Sequence, residues 1–265
     1  MSFELKDRYD INDLLEVTRI LRSENGCVWD REQDHKTIRM NVLEEAYEVM
    51  EAIDKEDAAM LREELGDLLF QAVFHCQIET EQGSFNFGDA VDEVTKKMIY
   101  RHPHVFGDVS VENSDEVLVN WEKLKKASKN QENAVSSLDS VPDILPALMR
   151  GQKIAKRSSD AGLSFDDKEQ ALEWVKTCTE NLSLSILNKK EEEIEERFGN
   201  LLFACCILSR FIKKDSEKAL TFAINKFIIR FRDIEQQVIN SGKKLDDLSD
   251  EELDKLFGTV IGQGE

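Results

Sequence analysis

Four carboxylates carry the strongest chemical signal in the chain. Glu45 and Glu48 are three residues apart, as are Glu64 and Asp67. On a helix each such pair sits roughly 60° apart on one face. Two helices of this kind packed antiparallel aim all four groups at one point. Asp67 is the only charge in the stretch 65–74. Glu64, Asp67, Gln71, Phe74 and Ile78 form a stripe that turns apolar within two turns, so Asp67 is expected to point into packed protein. A bare carboxylate there costs on the order of several kcal/mol, and like charges beside it add to the cost. A hard divalent ion with oxygen ligands relieves it, and an all-carboxylate set suits Mg2+ or Mn2+ better than Zn2+. The alternative is an ordinary solvated acidic surface.

Such a site suits phosphoryl chemistry, in which the metal offsets phosphate charge and activates a water. Basic groups should then clamp the other phosphate oxygens. Lys97 and Arg101, one helical turn apart, are the candidates; a solvated helix end is the alternative. No Walker-type glycine-rich loop is present. No Ser or Cys stands at a suitable spacing from a His base, which points to hydrolysis without a covalent intermediate. A di-iron bundle centre needs two Glu-x-x-His pairs. One such spacing occurs, Glu32 to His35, in an expected loop.

Helices must position these groups. Apolar residues at three- and four-residue spacing predict helices over 10–23, 36–55, 57–81, 88–101 and 114–128. A second set is predicted over 140–158, 167–188, 191–213, 216–240 and 249–257, with Pro142 at a helix start. The polar stretch 130–139 reads as a linker between a domain over 1–129 and one over 140–265. The two sets are related. Glu63-Glu64-Leu65-Gly66-Asp67-Leu68-Leu69-Phe70 aligns with Glu196-Arg197-Phe198-Gly199-Asn200-Leu201-Leu202-Phe203, at an offset of 133. Lys97 and Arg101 match Lys226 and Arg230 at an offset of 129. The chain therefore reads as two copies of one helical domain.

Composition agrees. With 265 residues, 12 Gly and 3 Pro, turn signals are too few for a many-stranded β fold. A net charge of −19 argues against nucleic-acid polymers and membrane surfaces as partners. The 5 cysteines fit no metal-ribbon or redox spacing. Cys76, Cys205 and Cys206 lie in apolar helical stretches and are expected in the core. The polar, acidic N-terminus is no signal peptide, and the longest apolar stretch, near 201–208, is short of a membrane span. A reduced, cytoplasmic protein is expected.

Several motifs together resemble the MazG family of nucleoside triphosphate pyrophosphohydrolases. They are Asn25-Gly26-Cys27-Val28-Trp29-Asp30-x-x-Gln33, Glu44-Glu45-x-x-Glu48, Glu63-Glu64-x-x-Asp67 and Arg101-His102-Pro103-His104-Val105-Phe106-Gly107-Asp108. In the second half, Leu145-Pro146-Ala147-Leu148-Met149-Arg150-x-Gln152-Lys153 and Asn225-Lys226-Phe227-x-x-Arg230-Phe231-Arg232 resemble the two-domain form. The resemblance implies an all-α fold of two tandem four-helix-bundle-like domains and a homodimer. It implies Mg2+-dependent cleavage of NTP to NMP and pyrophosphate. It makes Glu45, Glu48, Glu64 and Asp67 metal ligands and brings Lys97 and Arg101 to phosphate. Two readings stay open for Trp29: stacking on a base, or core packing. His102 and His104 are expected to cap a helix end or shape the loop.

The second repeat departs from the pattern. Glu45, Glu48, Glu64 and Asp67 become Cys178, Asn181, Arg197 and Asn200. No Mg2+ site is expected over 140–265, which leaves dimerisation or support as its task. Val28 replaces the family's usual Pro after Cys. Also open are a narrower substrate, such as dUTP, dCTP or phosphoribosyl-ATP, and a nucleotide-binding regulator without catalysis.

Overall fold

Short polar side chains set most of the helix starts. Asp10, Asp34, Asp57 and Asn86 each stand just before a periodic apolar run. Each accepts hydrogen bonds from backbone N–H groups of the following first turn, groups that have no partner within the helix. The computed structural model describes residues 3–128 and 134–261, which contain helices and turns and no strand. The fold is all-α.

Chain contacts divide the molecule into two units, Met1–Lys125 and Lys126–Glu265. In chain order the helices are α1 (Ile11–Leu21), α2 (Val28–Glu32), α3 (His35–Asp54), α4 (Ala58–Gln82), α5 (Phe87–Arg101), α6 (Pro103–Phe106) and α7 (Ser114–Ser128). Then follow α8 (Ala134–Asp139), α9 (Ala147–Asp160), α10 (Lys168–Leu187), α11 (Glu191–Phe211), α12 (Ser216–Asn240), a 3-10 turn at Leu245–Asp247 and α13 (Asp250–Val260). Among the described residues no helix is long and apolar enough to cross a membrane.

The first unit is built on the α3–α4 hairpin. Its core joins Ile38 of α3 to Phe70, Phe74 and Ile78 of α4, and α1 lies along the later part of α4, beside Val73, Cys76 and Thr80. The second unit is built on the α10–α11 hairpin, with α9 against α11. Gly151 lets that approach happen, since a Cβ there would stand 3.0 Å from Cys206 Sγ.

Three elements differ from expectation. The helix expected over 140–158 starts at Ala147, with Pro146 at its N-cap. Pro146 has no N–H to give to the carbonyl four residues back, and it biases Leu145 away from the helical region. The chain instead turns, with Leu145 N–H donating to Pro142 O at 3.4 Å. The helices α2, α6 and α8 are too short to show a period. Of the expected linker, residues up to 133 lie outside the described residues, and 134–139 is α8. The third difference is Cys205, which is exposed while Cys76 and Cys206 are buried. Neighbouring helix positions point about 100° apart, so Cys205 and Cys206 cannot both face one core.

Candidate metal centre

The turn between α3 and α4 is tight. Glu56 takes a left-handed φ of 56°, and the two helices run back along each other. Glu45 and Glu48 of α3 thereby meet Glu64 of α4. One carboxylate oxygen from each lies within 4.8 Å of the other two, and all three side chains are half-buried. Burial first, and then the charges of Asp67 and Glu48, push the Glu45 carboxyl above the usual range. Burial and then Glu48 do the same to Glu64. Glu48 lies close enough to both to raise each of them. A cluster of crowded acids, all oxygen and short of positive charge, fits a hard divalent cation.

Asp67 corrects the sequence reading. It is exposed and does not belong to the mutually close set, although its charge acts on Glu45 and Glu64. The stripe does sink into the core, but only from Gln71 onward, where Gln71, Phe74 and Ile78 are buried. Because α1 covers only the later part of α4, the earlier part stays open, with Leu65 and Leu69 exposed.

Lys97 is half-buried on α5. Arg101, at the end of α5, is 7% exposed, with its guanidinium 5.3 Å from the centre of the Trp121 ring. That excludes a solvated helix end for Arg101. His102 closes α5 through its Nδ1–H, which donates to Met98 O at 2.6 Å, the capping role expected of it.

Trp29 is 58% exposed on α2, so within this chain it is no core residue. Its position rests on Arg22, which lies outside the motif, and on Gly26, which lies within it. Arg22 reaches Asp30 O at 2.6 Å and Gln33 O at 3.0 Å, and holds Glu81 of α4 with two bonds of 2.9 and 2.8 Å. Its side chain is 6% exposed and its guanidinium lies 5.0 Å from the Phe74 ring centre. Gly26 lets the chain turn under this hub. A Cβ there would stand 2.2 Å from Ile20 O and 2.3 Å from Leu21 O, both backbone. Gly26→Ala is therefore expected to cost about 2–3 kcal/mol of stability, read as a lowered urea midpoint. Val28 occupies the first position of α2, where proline is favoured for its fixed φ. That accounts for the proline carried there by the family that the motif resembles.

A second polar cluster was not foreseen. His35 sits at the start of α3, not in a loop. Its Nδ1 lies 2.7 Å from His75 Nδ1, and its Nε2 lies 2.7 Å from Glu79 Oε1. Ser84 Oγ–H donates to the other Glu79 oxygen. With both rings neutral, one assignment satisfies every contact: His75 Nδ1–H donates to His35 Nδ1, and His35 Nε2–H donates to Glu79. The sequence signal was the spacing of His75 and Glu79, four apart on one helix. Burial and then the His35 charge lower the His75 pKa below 6.5. The unfolded chain then binds more protons than the folded one, so this stability is present above about pH 6.5 and is lost as pH falls through the lower folded value. The melting temperature is expected to fall below that pH, and less steeply in His75→Phe, in a calorimetric pH series.

The second unit places other chemistry at the aligned positions. Cys178 is 3% exposed, its thiol pushed up by burial, and Arg197 pairs with Glu193 at 3.8 Å.

An all-α chain with a helical hairpin that gathers three glutamates, followed by a helix that carries Lys97 and Arg101 near its end, defines a class of carboxylate-centred helical protein. Comparison with known proteins gives the family. The MazG nucleotide pyrophosphohydrolase domain matches residues 33–106. A nucleoside triphosphate pyrophosphohydrolase of Escherichia coli (strain K12) is 40% identical over 256 residues, 96% of this chain and 97% of that protein. The nucleoside triphosphate pyrophosphohydrolase/pyrophosphatase MazG of Thermotoga maritima is 36% identical over 253 residues, 96% of each. YabN of Bacillus subtilis is 39% identical over 250 residues, which are 94% of this chain and 51% of that protein. The chain belongs to the MazG family.

Proposed function

We propose that the protein is a Mg2+-dependent nucleoside triphosphate pyrophosphohydrolase whose chemistry resides in the first unit. NTP and water give NMP and pyrophosphate. The observation that carries this reading is the convergence of Glu45, Glu48 and Glu64 on one point, crowded enough to raise two of their pKa values. Family membership and the names of the full-length relatives support the substrate class.

Glu45, Glu48 and Glu64 would hold Mg2+, or Mn2+ in its place, with Asp67 completing the set from its exposed position. The bound ion supplies charge neutralisation of the phosphates and a water of lowered pKa. Lys97 and Arg101 hold the phosphate oxygens that the carboxylates repel. The Trp121 ring beneath Arg101 fixes the direction of its guanidinium. Trp29, exposed and held by Arg22, offers a face for the base.

The working protein is a homodimer in this reading. Around the acidic set, Leu43, Tyr47, Met50, Leu65 and Leu69 are each at least 42% exposed. On α12, Phe222 and Ile229 are 71% and 59% exposed. Apolar surface this extensive needs a cover, and a second copy supplies it. Residues 140–265, within the second unit, serve assembly and support.

Turnover of a panel of ribo- and deoxynucleoside triphosphates tests the reading. Hydrolysis with Mg2+ that stops in EDTA is expected, and the panel also sorts broad from narrow substrate choice. Tight binding with no turnover of any member would replace the enzyme with a nucleotide-binding regulator.

A further inference from the structure

The second unit carries a pair of cavities whose chemistry differs from that of the first. Between α9, the end of α11 and the start of α12 lies a cavity of about 410 Å3, lined by Lys153, Lys156, Arg210, Met149, Gln152 and Asp215. A neighbouring cavity of about 250 Å3 shares Arg210 and is walled by Phe165, Phe203, Leu163 and Ile207. The first unit has a cavity between α1, α4 and α5. There Asn12, Leu15, Glu16 and Arg19 repeat the spacing of Met149, Gln152, Lys153 and Lys156. In that cavity Glu16 and Arg19 pair at 2.6 Å and Gln77 stands opposite, so its lining is neutral. In the second unit Lys153 takes the place of Glu16, and Arg210 that of Gln77. These two changes turn a neutral lining into a cationic one, in a chain of net charge −19.

The lining is held in place. Asp215 is its one acid, and that carboxylate caps α12, accepting from Lys218 N–H at 2.8 Å. Gln152 donates to Lys214 O at 2.8 Å and accepts from Ser216 N–H at 3.0 Å, which ties the α11–α12 turn to α9. Arg210 joins the two cavities, its Nη1 donating to Ser164 Oγ at 3.4 Å. A cationic chamber opening onto an aromatic one fits a phosphate attached to a flat ring. We propose that these adjoining cavities bind a nucleoside phosphate without a metal ion, its phosphates against Lys153, Lys156 and Arg210 and its base against Phe165 and Phe203.

The test is a calorimetric titration of the full-length protein with ADP in EDTA, which silences a metal-dependent site. One saturable site per chain is expected. Lys153→Glu restores the first unit's residue at an exposed position and should weaken binding by roughly tenfold or more, as should Arg210→Gln. Turnover with Mg2+ and the melting temperature of Lys153→Glu should match the wild type. Absence of ADP binding in EDTA, or binding that Lys153→Glu leaves untouched, overturns the site. Inorganic pyrophosphate binding as tightly as ADP overturns the assignment of the base. The site stands apart from the proposed catalysis: Glu48→Gln should retain ADP binding in EDTA while losing turnover.

Discussion

Glu48→Gln is expected to lower Mg2+-dependent turnover by about a thousandfold, close to 4 kcal/mol of transition-state stabilisation. Glu48 is the central member of the cluster, close to Glu45 on its own helix and to Glu64 across the hairpin and raising the pKa of both. Glutamine keeps the shape but removes one anion and half of the acceptor capacity. The same change relieves like-charge crowding in the metal-free protein, so the metal-free melting temperature should hold or rise. What should vanish is the rise in melting temperature on adding Mg2+, since an ion bound only by the folded state stabilises it by mass action. Loss of turnover together with loss of fold would point to a structural role instead. Asn181→Ala, at the aligned position of the second unit, should leave turnover near wild type.

Arg22→Met should give the second largest effect, a stability loss of about 2–4 kcal/mol. The lower half of that range is favoured because Glu81 is 37% exposed on its side chain and part of its charge returns to water. Burial pushes the Glu81 carboxyl up, but the bonds from Arg22 and Gln77 outweigh it and hold it below the usual range. Removing Arg22 takes away that restraint and the clamp on Asp30 and Gln33. The helix bearing Trp29 should then lose its fixed position. KM for nucleotide is expected to rise several-fold with kcat largely kept, in steady-state kinetics below the unfolding transition. An equal fall in kcat would place Arg22 closer to the reacting phosphates than its contacts suggest.

Much of this was legible in the chain because helices write their own periodicity. The hairpin helices α3, α4, α10 and α11 lie within a few residues of expectation, since each has a polar cap or turn and a long apolar stripe. The carboxylate pairs were legible for the same reason: three-residue spacing fixes a shared face. The fate of Asp67 was not legible. Whether a stripe is buried depends on what packs over it, and the extent of α1 along α4 is a tertiary fact. The roles of Arg22 and Gly26 were not legible because they are played against backbone carbonyls, which no side-chain pattern records. The His35–His75–Glu79 cluster joins residues 40 or more positions apart. Only half of it, the spacing of His75 and Glu79, is local. The gain of positive charge at Lys153 and Arg210 becomes visible only when the two cavities are compared.

The central claim is that three converging glutamates in the first unit direct water to the bond between the α and β phosphates. Phosphorus NMR of an NTP incubated with the protein and Mg2+ tests it most directly, with Glu48→Gln as the paired sample. Signals of NMP and pyrophosphate are expected with the wild type, and unchanged NTP with the variant. Appearance of NDP and inorganic phosphate, or NMP and pyrophosphate formed at the wild-type rate by Glu48→Gln, would contradict it.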